Sequence, residues 1–155
     1  MTGLVPWLLT RWTVRHPVPG GLPARVLGAG LVAAGGAAVT HSFARFAIDG
    51  LGTPLPAAPP GHLVVSGLYR HVRNPTYVSL EAVILGQALL LGQRRLLGYA
   101  ALLAIPPALF VHLYEEPKLA ATFGEDYEQY RRNVPRWLPR LRPWQPPPAL
   151  RRPSR

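Results

Sequence analysis

Apolar residues fall along this chain in three long blocks, separated by polar, proline-rich or basic stretches. The first, from about Val26 to Phe46, is rich in Gly and Ala, which let helix backbones approach closely in lipid. The second, Thr76 to Leu91, is short for a membrane span and is expected to borrow a turn from the residues before it. The third, Leu96 to Tyr114, is roughly 28 Å long as a helix, about one hydrocarbon core. Only Gly92-Gln93-Arg94-Arg95 joins the second block to the third, so the two read as a tight antiparallel hairpin. Pro106 and Pro107 predict a kink in the third helix, where neighbouring groups must satisfy the freed carbonyls. Asp49–Arg73, with Pro54, Pro56, Pro59 and Pro60 clustered in it, reads as an irregular loop over the membrane surface.

Beyond Tyr114 the pattern changes. Pro117 opens a new element, in which Leu119, Phe123, Tyr127, Tyr130 and Val134 form one apolar helical stripe. Glu125, Asp126, Glu128, Arg131 and Arg132 occupy the other faces, as in an amphipathic helix that lies against the membrane or caps a bundle. From Pro143 the chain is rich in Pro and Arg and is expected to be disordered. The expected architecture is therefore an all-α integral membrane protein. It has about three transmembrane helices, a helical hairpin in its C-terminal half and a C-terminal amphipathic helix. One domain covers residues 1–142, and residues 143–155 form the tail.

Composition narrows the function. Hydrophobic residues make up 48% of the chain and charged residues only 15%, against roughly 25% charged in an average soluble domain. The net charge of +10 is compatible with a nucleic-acid partner. However, the basic residues flank apolar runs and form no stripe with stacking aromatics, which suits anionic headgroups. Membrane lipids are the expected partner, and nucleic acid is not. With no cysteine, disulfides, thiolate metal sites and cysteine nucleophiles are excluded. Met1–Trp12 has no basic region ahead of its short apolar run, so it does not read as a cleaved signal. The positive-inside rule puts the basic C-terminal segment and Arg70/Arg73 in the cytoplasm. A strict three-span count then leaves Arg11, Arg15 and Arg25 outside, so Met1–Trp12 reads either as the remnant of a further helix or as preceded by more chain.

Two clusters carry candidate chemistry, both at the expected cytoplasmic edge. The first is Gly67-Leu68-Tyr69-Arg70-His71-Val72-Arg73-Asn74-Pro75-Thr76-Tyr77. Pro75 suits the first position of a helix and biases Asn74 out of it, so the helix start presents free N–H groups, a seat for a carboxylate. Asn74, Tyr77 and Glu81 share one helical face. The second cluster is Tyr114-Glu115-Glu116-Pro117, whose adjacent carboxylates oppose the helix dipole and repel each other. They need a compensating cation, from a basic side chain or from a ligand. Glu81 and Gln87 lie inside the second span. An ionisable group there is a functional candidate or a hydrogen-bonded neutral acid, and Gln87 reads as packing glue. His112 lies a turn before the carboxylates without a clear set of further ligands, so no metal is expected.

In order and spacing, LVVSGLYRHVRNPTY, a hydrophobic hairpin and EEPKLAATFGEDYEQYRRNVPRWLP resemble the isoprenylcysteine carboxyl methyltransferase family and the related phospholipid methyltransferases. The resemblance covers roughly Gly61 to Arg140, about half the chain. It implies a membrane methyltransferase that takes its methyl group from S-adenosylmethionine. The family's cofactor-binding positions fall on Gly61, His62, Leu63, Val64, Tyr69, Asn74, Pro75, Thr76, Tyr77 and Glu115. The donor's ammonium and sulfonium suit Glu115, Glu116 and the rings of Tyr69 and Tyr77, while its carboxylate suits the helix start and Arg73. Glu81 and Arg73 are the candidate catalytic residues. The implied acceptor is a lipid-like or apolar small molecule of the isoprenylcysteine-carboxylate or phospholipid-headgroup class. The alternatives are a small thiol or amine, and a non-catalytic membrane protein retaining the fold. Asn74 replaces a common histidine, and Ser79 stands where glycine is frequent. Val111 stands where the prenylcysteine enzymes carry an arginine tied to the substrate carboxylate, which weighs against a prenylcysteine acceptor. The expected location is a bacterial-type inner membrane, with the active site facing the cytoplasm.

Overall fold

The computed structural model of the protein describes residues 2–14, 21–48 and 63–148. Among them every regular element is helical. These are α1 (Leu4–Thr10), α2 (Gly21–Ile48), α3 (Pro75–Leu91), α4 (Arg94–Phe110), α5 (Glu116–Phe123) and α6 (Glu125–Asn133), with a 3₁₀ turn at Gly67–Arg70 and a π turn at Val111–Glu115. Two stretches are long and apolar enough to cross a bilayer: Gly21–Ser42, with mean hydropathy 1.5, and the continuous helix Arg94–Phe123, with 1.9. Only 11% and 17% of these windows are buried by the rest of the chain, so their outward faces are left for lipid. With α3 as a shorter apolar helix of 17 residues, the protein is an all-α membrane protein.

The described chain divides into two compact units. The first comprises Met1–His41 and Thr76–Pro107. Its α2 and α3 run antiparallel in close backbone contact: a Cβ on Gly28 would meet the Gly86 carbonyl oxygen at 2.8 Å, and one on Gly35 would meet that of Ser79 at 2.7 Å. Ser79 is thus a second small residue in the seam, seven residues from Gly86, as Gly28 is from Gly35. Gly92, at φ +62°, and Gln93 make the whole turn between α3 and α4. The two glutamines tie the N-terminal segment to the hairpin. Gln87 Nε2 donates to the Thr2 carbonyl at 2.9 Å, and Gln93 Nε2 to that of Thr13 at 2.7 Å.

One expectation changes here. The second span borrows nothing from the residues before it: α3 starts at Pro75, because a proline has no N–H to continue an earlier helix and keeps Asn74 out of the helical region. α4 contains Pro106 and Pro107 within its length, the positions of the expected kink. A π turn follows at Val111–Glu115. Pro117 has no N–H and its ring crowds the carbonyl four residues back, while Glu116 N–H reaches the Val111 carbonyl five residues back, so the wider turn admits the proline.

The second unit comprises Ser42–Pro75 and Ala108–Arg155. Its core is Val65, Tyr127, Tyr130 and Val134, with Leu63, Leu119, Ala120, Phe123 and Trp144 packed against it. The apolar stripe foreseen from Leu119 to Val134 is therefore all present and packed against protein, on two helices and the residue after them instead of on one helix. Gly124, at φ +50°, ends α5, and three acidic residues open α6, favourable to its dipole. The tail is also corrected at its beginning. Trp144 N–H donates to the Arg70 carbonyl at 2.9 Å, and its ring lies 5.9 Å from that of Tyr130. Residues 149–155 lie outside the described residues, as does 49–62 of the expected surface loop.

Candidate functional site

The site grows from two short segments of the second unit, each with a proline that fixes where a helix begins. Asn74 is 8% exposed just before Pro75, and Glu116 is 6% exposed just before Pro117. The chain after α6 folds back over the first segment in a series of hydrogen bonds. Arg73 N–H donates to the Pro135 carbonyl at 2.9 Å, Asn74 Nδ2 to that of Arg136 at 3.2 Å, and Arg140 N–H to that of His71 at 3.0 Å. Arg70 Nε reaches the Trp144 carbonyl at 2.7 Å, and His71 Nδ1 lies 2.8 Å from the Arg140 carbonyl. From the core side, Tyr130 donates its hydroxyl to the Tyr69 carbonyl at 2.8 Å.

At the centre is Glu116. Its Oε1 accepts Arg73 Nη1 at 2.5 Å and Arg136 Nε at 2.9 Å, and its Oε2 accepts Arg136 Nη2. The Arg136 guanidinium therefore grips the carboxylate with a two-pronged fork, and Arg73 adds a second cation from the other segment. The side chains of Arg73 and Glu116 are only 10% and 8% exposed. Removing one partner from such a buried cluster leaves an uncompensated charge, which is the costly outcome. Arg73 Nη1 also lies 3.4 Å from the Tyr127 hydroxyl. Burial pushes the Tyr127 phenol above its ordinary value, and the charge of Glu116 adds to this while Arg73 opposes it. His112 Nδ1, on the π turn, lies 3.5 Å from Arg136 Nη1.

The structure thus separates the paired glutamates. Glu116 is compensated twice over by side chains of its own chain. Glu115, part-buried on the π turn, has no hydrogen bond or ion pair among the described residues. Arg73 Nε is buried without a hydrogen-bond partner. A free carboxylate and an unused guanidinium N–H are therefore left in one small unit.

Of the residues foreseen from sequence, Tyr69, Arg73, Asn74, Pro75, Glu115 and Glu116 lie in this unit, and Leu63 and Val64 lead into it. Thr76, Tyr77 and Glu81 lie on α3 within the first unit, and Gly61 and His62 lie outside the described residues. Arg136 was not singled out, although its signal is present in VPRWLP, a basic residue directly after a proline. A hollow of about 290 Å³ on the acidic face of α6 includes none of the foreseen residues.

A family model described as phospholipid methyltransferase matches residues 23–126. No curated protein and no solved structure matches the chain.

Proposed function

The chain belongs to the phospholipid methyltransferase family, and on that premise we propose that it is an S-adenosylmethionine-dependent enzyme that methylates a lipid-like or apolar acceptor. Membership makes it a membrane methyltransferase at the level of the family. The donor, the acceptor class and the residue roles are our reading. The observation that carries it is that one unit holds both a carboxylate without a partner, Glu115, and a guanidinium N–H without a hydrogen bond, Arg73 Nε.

That donor set fits S-adenosylmethionine, which when bound supplies a methyl group on a positively charged sulfur beside an amino-acid ammonium and carboxylate. Glu115 would hold the positive charge. Arg73 Nε, just before the start of α3, would hold the carboxylate. Asn74 keeps that helix start in place through its bond to the Arg136 carbonyl. Gly61, His62, Leu63, Val64 and Tyr69 complete the donor site in this proposal. Glu81, the ionisable group of α3, is assigned to the acceptor. The protein's task is to align acceptor and donor, exclude water and hold charge, and no protein nucleophile is required. We further assign the site to the cytoplasmic face, where the basic second unit meets anionic lipid.

Calorimetry on the purified protein in detergent tests the donor. Saturable binding of S-adenosylmethionine is expected, and its absence from folded samples with and without lipid refutes the proposal. Incubating membranes with labelled donor and identifying the labelled product then names the acceptor.

A further inference from the structure

Arg136 lies beyond the residues matched by the family model and has no place in the donor site proposed above. Even so, it holds both halves of that site. Its carbonyl accepts Asn74 Nδ2 at 3.2 Å, and its guanidinium forks onto Glu116. The preceding carbonyl, Pro135, accepts Arg73 N–H. Glu116 has two cations in contact, Arg73 and Arg136, and the donor site proposed above draws on Arg73, which leaves Arg136 to balance Glu116. Its neighbour Glu115 feels its charge and has no partner of its own.

The number of unbalanced carboxylates matters to methyl transfer. Transfer breaks the sulfur–methyl bond, leaves its electron pair on sulfur as a neutral thioether, and makes the new bond from an acceptor lone pair. A carboxylate facing the positive sulfur therefore favours the bound donor over the transition state, and a second one would tighten binding while slowing reaction. We propose that Arg136 is a positioning residue which neutralises Glu116, so that Glu115 alone presents negative charge to the donor. This inference rests on the S-adenosylmethionine reading above.

The test uses the full chain in detergent and compares two ligands by calorimetry: S-adenosylmethionine, and S-adenosylhomocysteine, which lacks the sulfonium charge. Arg136→Gln leaves Glu116 with Arg73 alone, a cation that the proposed site shares with the donor's carboxylate. It should raise the preference for the charged ligand by about three- to tenfold, and lower both KM for the donor and the saturated rate of label incorporation into added membrane lipid. Glu116→Gln should shift the preference the opposite way, and the double variant should return both preference and rate towards wild type. A merely structural role predicts something else: both ligands weaken in parallel, and the double variant does no better. Either of those results overturns the proposal. If Arg136→Gln does not fold, Glu116→Gln decides alone, because an unchanged preference there refutes the inference. Failure of the wild type to bind S-adenosylmethionine removes the functional reading and this inference together, whereas a binding-competent wild type with unshifted variants removes only the inference.

Discussion

Glu115 and Glu116 are neighbours of identical chemistry, and the π turn sends them into different surroundings, one part-buried without a partner and one gripped by two guanidiniums. On the proposed reading, Glu115→Gln removes a charged hydrogen bond to the donor. Its effect is roughly 1.5–3 kcal/mol, about ten- to hundredfold in affinity. Glu81→Gln should leave donor affinity near wild type and act on turnover or stability. Calorimetry on both variants checks this, and equal donor affinity in Glu115→Gln and wild type would sink the site. Tyr130 supplies a second residue-scale expectation, in α6 outside the membrane. Burial raises its phenol well above the ordinary value, with the nearby Tyr69 and Tyr127 adding to this and Arg73 opposing it, and the neutral form is the one that donates to the Tyr69 carbonyl. An unfolded tyrosine titrates near pH 10, so above about that pH the unfolded chain releases a proton that the folded chain keeps. This contribution is full below pH ~10 and is lost as pH rises towards the raised folded value. Thermal unfolding in detergent between pH 8 and 11 should show the alkaline decline. Tyr130→Phe should be less stable at pH 8 by about 1 kcal/mol, with a shallower decline.

Helix pairing depends on positions that differ by a single residue in sequence. Gly35 sits against the Ser79 carbonyl, whereas a Cβ on Gly36 would meet nothing within 4 Å. Gly35→Ala must push backbone apart and should destabilise the protein by about 1–3 kcal/mol. Gly36→Ala should be neutral or stabilising by up to about 1 kcal/mol, because alanine is the better helix former. Thermal unfolding of the two variants side by side decides the matter, and equal melting points would contradict the seam. The small-residue character of the first span was legible in the sequence, but which glycines face α3 was not. With glycine and alanine on every face, the apolar pattern has no direction, and only packing chooses a side. The same holds at Gly124. The spacing of Leu119, Phe123, Tyr127, Tyr130 and Val134 survives a bend in the helix, so periodicity alone could not show that two helices carry the stripe.

For the whole molecule, the proposed orientation places Arg132 in the cytoplasm and Arg94 on the opposite face. The chain has no cysteine, so Arg94→Cys and Arg132→Cys each carry a single label site, and both positions are exposed. In sealed membranes a membrane-impermeant probe should reach them from opposite sides, and labelling of both from one side would overturn the topology. The all-helical membrane character, the hairpin turning at Gly92-Gln93 and the two blocks of candidate residues were determined by the sequence itself. Each rests on local chemistry: the length of apolar runs, prolines that start helices, a glycine at a turn. The ion-pair cluster was decided only by tertiary structure. Arg73, Glu116 and Arg136 are separated by 43 and 20 positions along the chain, and sequence could show that the carboxylates needed a cation without showing which one. The packing of Trp144 is of the same kind. A proline- and arginine-rich stretch lacks the apolar content to fold by itself, yet one tryptophan orders when the aromatic surface of Tyr130 and the main chain of Arg70 are presented to it.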